Sequence, residues 1–125
     1  MDNHVHLLVE TPEANLGSGM QRLHSLYAQI HNERHGRCGH LFQDRFGSVR
    51  VLSDEQLWAV VAYVVKNPVK AGLCERPEQW RWSSHAATIG HAPCGPLDTG
   101  RLMSFLGAAG GNPYRRYAEL TCEPA

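Results

Sequence analysis

At 125 residues the chain has the usual length of one domain, with enough material for a hydrophobic core. Its 42% hydrophobic and 19% charged residues are ordinary for a soluble globular protein. The formal net charge of +0 gives no global signature of nucleic-acid binding, and the longest apolar stretches, such as Trp58 to Val65, are too short to span a bilayer. No charged segment followed by an apolar one opens the chain as a secretion signal would, so a cytoplasmic protein with no membrane partner is expected.

In chain order, residues 4–10 (HVHLLVE) read as a strand: short, apolar, β-branched in part, and stopped by Thr11-Pro12. Leu16, Met20, Leu23, Tyr27 and Ile30 recur at spacings of four and three, the mark of one apolar helical face, and the helix they predict ends near Gly36. Gly17 and Gly19 weaken its first turn and place the firm start near Ser18; Tyr27, on the apolar stripe, reads as a core residue. A second strand is expected around Phe46 to Val51. Ser53 followed by Gln56 signals a capped helix to about Lys66, which Asn67-Pro68 ends or kinks. Residues 72–96 hold several Gly and Pro and read as mostly irregular. A further helix is expected from about Asp98 to Leu106, and a short helical piece after Pro113 carrying Tyr114, Arg115, Arg116 and Tyr117.

Two pairs of residues carry possible chemistry. His4 and His6 stand at i and i+2, which on a strand places both imidazoles on one face, where two nitrogens can ligate one metal ion. Tyr63 and Asn67 stand at i and i+4 on the second helix, hence on one face if the helix persists: a possible nucleophile beside a possible polar ligand. Each pair alone has a plainer reading, as ordinary histidines, a core aromatic and a helix-stop asparagine. Residues 34–50 carry Arg34, Arg37, Arg45 and Arg50 against Asp44, a local surplus that suits phosphate oxygens and equally suits a solvated loop. The four cysteines form no CxxC pair and read as free thiols. His31, His35, Cys38 and His40 offer a competing structural-zinc reading, since His31 and His35 are spaced i, i+4 on a helix.

Four stretches, taken jointly, bear a resemblance to a known family. MDNHVHLLVE resembles the signature strand of HUH-type single-tyrosine transposases, and AYVVKNPVKAGL resembles the nucleophile helix of their REP-associated branch. GHLFQDRF and WRWSS are similar to two further stretches of that branch, in the same order, so that residues 1–84 form the matched catalytic part and 85–125 a variable C-terminal part of a single domain. The resemblance implies an α+β, ferredoxin-like (RRM-like) fold with a small antiparallel sheet and packed helices. It implies Tyr63 as nucleophile, His4 and His6 as metal ligands with Asn67 completing the site, and a divalent cofactor, Mg2+ or Mn2+. It implies single-stranded DNA, hairpin-forming, as the partner, held by Arg45, Arg37, Arg50, Lys66 and Lys70, with Phe42, Trp80 or Trp82 stacking on bases. Members of the family place a strand, a helix and another strand before the His-x-His strand, whereas this chain opens at that strand. The expectation is therefore an N-terminally truncated fold whose exposed strand edge pairs with a second copy, giving a dimer that shares a sheet. The alternative is a non-catalytic DNA-binding remnant.

Overall fold

The computed structural model describes residues 1, 3–93, 95–108 and 110–122. Five helices follow in order: α1 (Leu16–His35), α2 (Asp54–Lys70), α3 (His85–Thr88), α4 (Thr99–Ala108) and α5 (Pro113–Cys122), with a 3-10 turn over Pro77–Gln79 between α2 and α3. The chain divides into two compact units, one of Met1–Leu8 with Val51–Ala125 and the other of Val9–Arg50.

The expected α+β, ferredoxin-like architecture is not what forms. No strand or bridge occurs among the described residues, and both residues 4–10 and residues 46–51 lie outside regular secondary structure. Backbone N–H and C=O groups of a strand need a neighbouring strand to pair with. Among the described residues neither segment finds such a neighbour. Val5, Leu7, Leu8 and Val9 accordingly remain 42–65% exposed. The sheet that a second copy was expected to extend is likewise absent among the described residues.

In the Val9–Arg50 unit, α1 starts at Leu16, two residues earlier than the glycines suggested. The Asn15 carbonyl accepts from the Gly19 N–H at 3.0 Å and from the Ser18 hydroxyl at 2.9 Å, which secures the first turn. The helix ends as expected at Gly36, whose φ of 59° is the left-handed C-cap that glycine adopts without a Cβ clash. The following loop is tied back by the Asn32 amide donating to the Gly39 carbonyl at 3.0 Å and by His24 stacking on Phe42 at 4.3 Å. Tyr27 is 56% exposed, and α1 contains no buried residue, so the expected core role of its apolar stripe is not realised within this unit.

The other unit carries the core. Ser53 caps α2, its Oγ accepting from the Gln56 N–H at 3.2 Å, while Gln56 Oε1 accepts from the Leu52 N–H at 2.7 Å, one residue earlier than in the usual reciprocal box. Pro68 does not end the helix. A proline's φ is helical, its loss is the single N–H bond to the Val64 carbonyl, and here the ring is buried. The stop comes four residues later, where Gly72 (φ 70°) follows the C-cap and the Leu73 N–H reaches back to the Pro68 carbonyl at 2.9 Å. Val61 and Val65 of α2 pack with Met103 and Leu106 of α4 and Tyr117 of α5, flanked by Leu57, Trp58, Ile89, Leu102 and Leu120. The Arg116 guanidinium lies 4.4 Å from the Trp58 ring centre and donates to the Leu106 carbonyl at 3.2 Å, fastening α5 across the other two. No described helix is long and apolar enough to cross a membrane.

Candidate metal and nucleophile site

On α2 the core face is set by Val61, Val65 and Pro68. Tyr63, Lys66, Asn67 and Lys70 recur at spacings of three and four, which gathers them on one stripe roughly opposite that face. Tyr63 is therefore 50% exposed, not a core aromatic. Because α2 runs through Pro68, Asn67 is still helical and shares the tyrosine's face. A helix ending at Lys66 would not have fixed that relation.

The opening segment meets this stripe. The Asn67 side-chain amide lies 3.1 Å from His6 Nε2, and His6 Nε2 lies 3.2 Å from His4 Nε2. The His6 ring stands edge-on to Tyr63 with ring centres 5.2 Å apart. His4 Nδ1 lies 2.8 Å from Asn3 Oδ1, an oxygen that only accepts, so His4 carries its proton on Nδ1 and a neutral His4 presents a bare Nε2. His6 has its pKa lowered by burial first, then by His4 and by the chain's amino terminus, which favours the neutral imidazole. As placed, the Asn67 Nδ2 group can only donate, so His6 Nε2 accepts and the His6 proton sits on Nδ1. With the proton on Nδ1, two lone pairs face one another, and a cation between them relieves the conflict.

The donor set suits a divalent cation. Two ligand atoms about 2.1 Å from one octahedral ion and at right angles lie about 3.0 Å apart, close to the 3.2 Å between the two imidazole nitrogens. A half-turn of the Asn67 amide about its Cβ–Cγ bond exchanges Nδ2 for Oδ1 and offers an oxygen from the same place. The sequence pattern passed over Asn3, though an asparagine directly before a histidine is within reach of its Nδ1 and holds the ring's tautomer.

The remaining expected residues are distributed as follows. Lys66 is half-buried and Lys70 exposed on the Tyr63 stripe, while Arg37, Arg45 and Arg50 are exposed residues of the Val9–Arg50 unit. The His31 and His35 rings lie with centres 4.5 Å apart, tilted by 39°, but among the described residues no group of three or more His, Cys, Asp or Glu is placed to hold a metal ion, so Cys38 and His40 do not complete a zinc cluster with them. Beside His6 and Asn67 a cavity of about 320 Å³ opens between α2, the residues around Trp80 to Ser84, and the start of α4. Tyr117 is among its lining residues, and the Tyr117 hydroxyl is hydrogen-bonded with His85 Nδ1 at 2.9 Å. Burial lowers the pKa of His85 and pushes the Tyr117 phenol up to about 12, so both are neutral at ordinary pH and Tyr117 is no rival nucleophile. Comparison of the chain with models of protein families, with curated proteins and with solved structures finds no match.

Proposed function

We propose that this protein binds single-stranded DNA and cleaves and rejoins it through Tyr63, in the manner of the HUH single-tyrosine transposases that its sequence resembles. The observation that carries the reading is the meeting of His6 with Asn67 at 3.1 Å and with the Tyr63 ring at 5.2 Å, across 61 and 57 residues of chain respectively (67 − 6 and 63 − 6). Nothing in the spacing of residues within α2 would require the opening segment to lie there.

His4, His6 and Asn67 would hold a divalent cation, Mg2+ or Mn2+, which when bound polarises a phosphodiester and draws it into position. Imidazole donors tilt the choice toward manganese. The half-exposed Tyr63 phenol reaches solvent, where a DNA strand can approach it. Its oxygen forms a bond to phosphorus as the bond to the 3′-oxygen breaks; the phenol loses its proton and the departing 3′-oxygen gains one. The covalent phosphotyrosine keeps the energy of the phosphodiester, so a second 3′-hydroxyl can reverse the step without an added energy source. Lys66 and Lys70, on the same helical stripe, offer positive charge to the flanking phosphates.

The test is incubation with end-labelled single-stranded DNA and Mn2+, followed by a denaturing gel. A protein–DNA adduct that disappears in Tyr63→Phe supports the reading; its absence from the wild-type protein refutes the cleavage step. The second reading, a DNA-binding remnant without catalysis, is favoured by one observation. His4 and His6 sit on a segment outside regular secondary structure, and catalysis needs tighter positioning than phosphate binding does. DNA binding with no adduct would select it.

A further inference from the structure

Resting on the proposed function, we infer that the cavity beside His6 and Asn67 is a receptacle for one unpaired base of the DNA strand whose phosphate lies at the His4–His6 pair. Three observations lead there. The cavity shares its wall with the candidate site, since His6 and Asn67 line both, so a base and a neighbouring phosphate of one strand reach the two places together. Its volume of about 320 Å³ exceeds what a single water or ion fills, and Val61, Val65 and Leu102 give it an apolar depth suited to a flat ring. Polar groups also line it: the Asp98 carboxylate, one oxygen of which accepts from the Arg101 N–H, and the Thr88 hydroxyl, which donates to the Ser84 carbonyl and keeps a lone pair for the edge of a nucleobase.

The rim supplies the remaining argument. Trp80 and Trp82 both border the cavity, and Trp82 leaves 72% of its surface in solvent although Arg81 lies over one face of its ring. Arg81 lies over that indole at 4.3 Å, which puts a positive charge where the backbone of a stacked base would pass. An exposed indole, a neighbouring guanidinium and a polar-edged apolar hollow together match the face, the phosphate and the edge of a nucleotide. A lipid chain or an apolar peptide would have no use for the guanidinium and the polar groups that stand beside the hollow.

A double-mutant cycle tests this, using Tyr63→Phe protein in Mn2+ so that binding is read without cleavage. The probes are a labelled oligodeoxynucleotide, its fully abasic counterpart of equal length, and the corresponding oligoribonucleotide. The base-bearing DNA is expected to bind about 5-fold to 100-fold more tightly than the abasic strand. Trp82→Ala should remove most of that difference and weaken abasic binding far less, whereas Trp82→Phe should keep it. Equal losses for the base-bearing and abasic strands in Trp82→Ala would overturn the inference, as would a base-bearing DNA that binds no better than the abasic one. Tighter binding of the ribonucleotide would overturn DNA as the occupant. The adduct assay fails separately: an adduct without a Trp82-dependent base effect leaves the proposed function standing and sinks the receptacle, and the reverse outcome does the opposite.

Discussion

Asn3 has no chemistry of its own at the candidate site, but its side-chain Oδ1 accepts a hydrogen bond from His4 Nδ1 at 2.8 Å and so decides which nitrogen faces His6. Without that acceptor the ring is free to turn over or change tautomer. Asn3→Ala is expected to weaken Mn2+ binding on the order of 10-fold to 100-fold, read by isothermal titration calorimetry, with little change in thermal stability because the residue is exposed. A second pair, His85 and Tyr117, works by staying neutral. The folded-state pKa of His85 is depressed by burial, so on acidification the unfolded chain takes up a proton first. Stability therefore falls as pH drops below about 6.5 and stops falling only once the folded imidazole also protonates. At the alkaline end the order reverses. The unfolded phenol ionises near pH 10 while the folded one resists to about 12, so stability is lost across that window, by roughly 2–3 kcal/mol for a shift of two units. Urea unfolding of wild type and Tyr117→Phe across pH reads both arms. The variant should lose the alkaline arm and start about 1–3 kcal/mol less stable, since buried His85 Nδ1 loses its hydrogen-bond partner.

Helix α2 joins the core to the candidate site, and its length is what makes the join. Val61 and Val65 hold it down on one side while Tyr63 and Asn67 point away on the other, a division that follows from the 100° advance per residue. Pro68 is carried inside the helix, and Gly72 provides the stop at positive φ. Gly72→Ala is expected to cost about 1–2 kcal/mol, because a Cβ is disfavoured in the left-handed region even though nothing lies within 4 Å of it. Differential scanning calorimetry would register this as a lower Tm. The same variant should loosen the last turn that carries Lys70 and leave Tyr63 reactivity nearly intact.

At the scale of the whole molecule the buried residues all lie in the unit of Met1–Leu8 and Val51–Ala125, and Leu106 is the one large side chain with no exposed surface among the described residues. Leu106→Ala would leave a hollow beneath Val61, Val65 and Tyr117 and is expected to cost about 2–5 kcal/mol in chemical denaturation. Its effect on Mn2+ binding should follow unfolding alone and vanish at temperatures where the variant is folded. Helix positions were legible in the chain because they depend on local pattern: the Ser53 cap, the apolar recurrence in α1 and the Gly36 terminator all act within a few residues. The stretch HVHLLVE has strand composition too, yet composition cannot supply a partner. A strand exists only where a neighbour takes its hydrogen bonds, and among the described residues none does. Pro68 shows the same limit in small: local preference says stop, and burial of the ring against the core outweighs the loss of one N–H bond. By itself the sequence determined the residue types able to bind a cation and attack a phosphate, and the helical spacing that pairs Tyr63 with Asn67. Only the tertiary structure decided that His6 stands against both, and that a cavity opens beside them, since contacts between segments some 60 residues apart depend on how the packed helices dispose the chain.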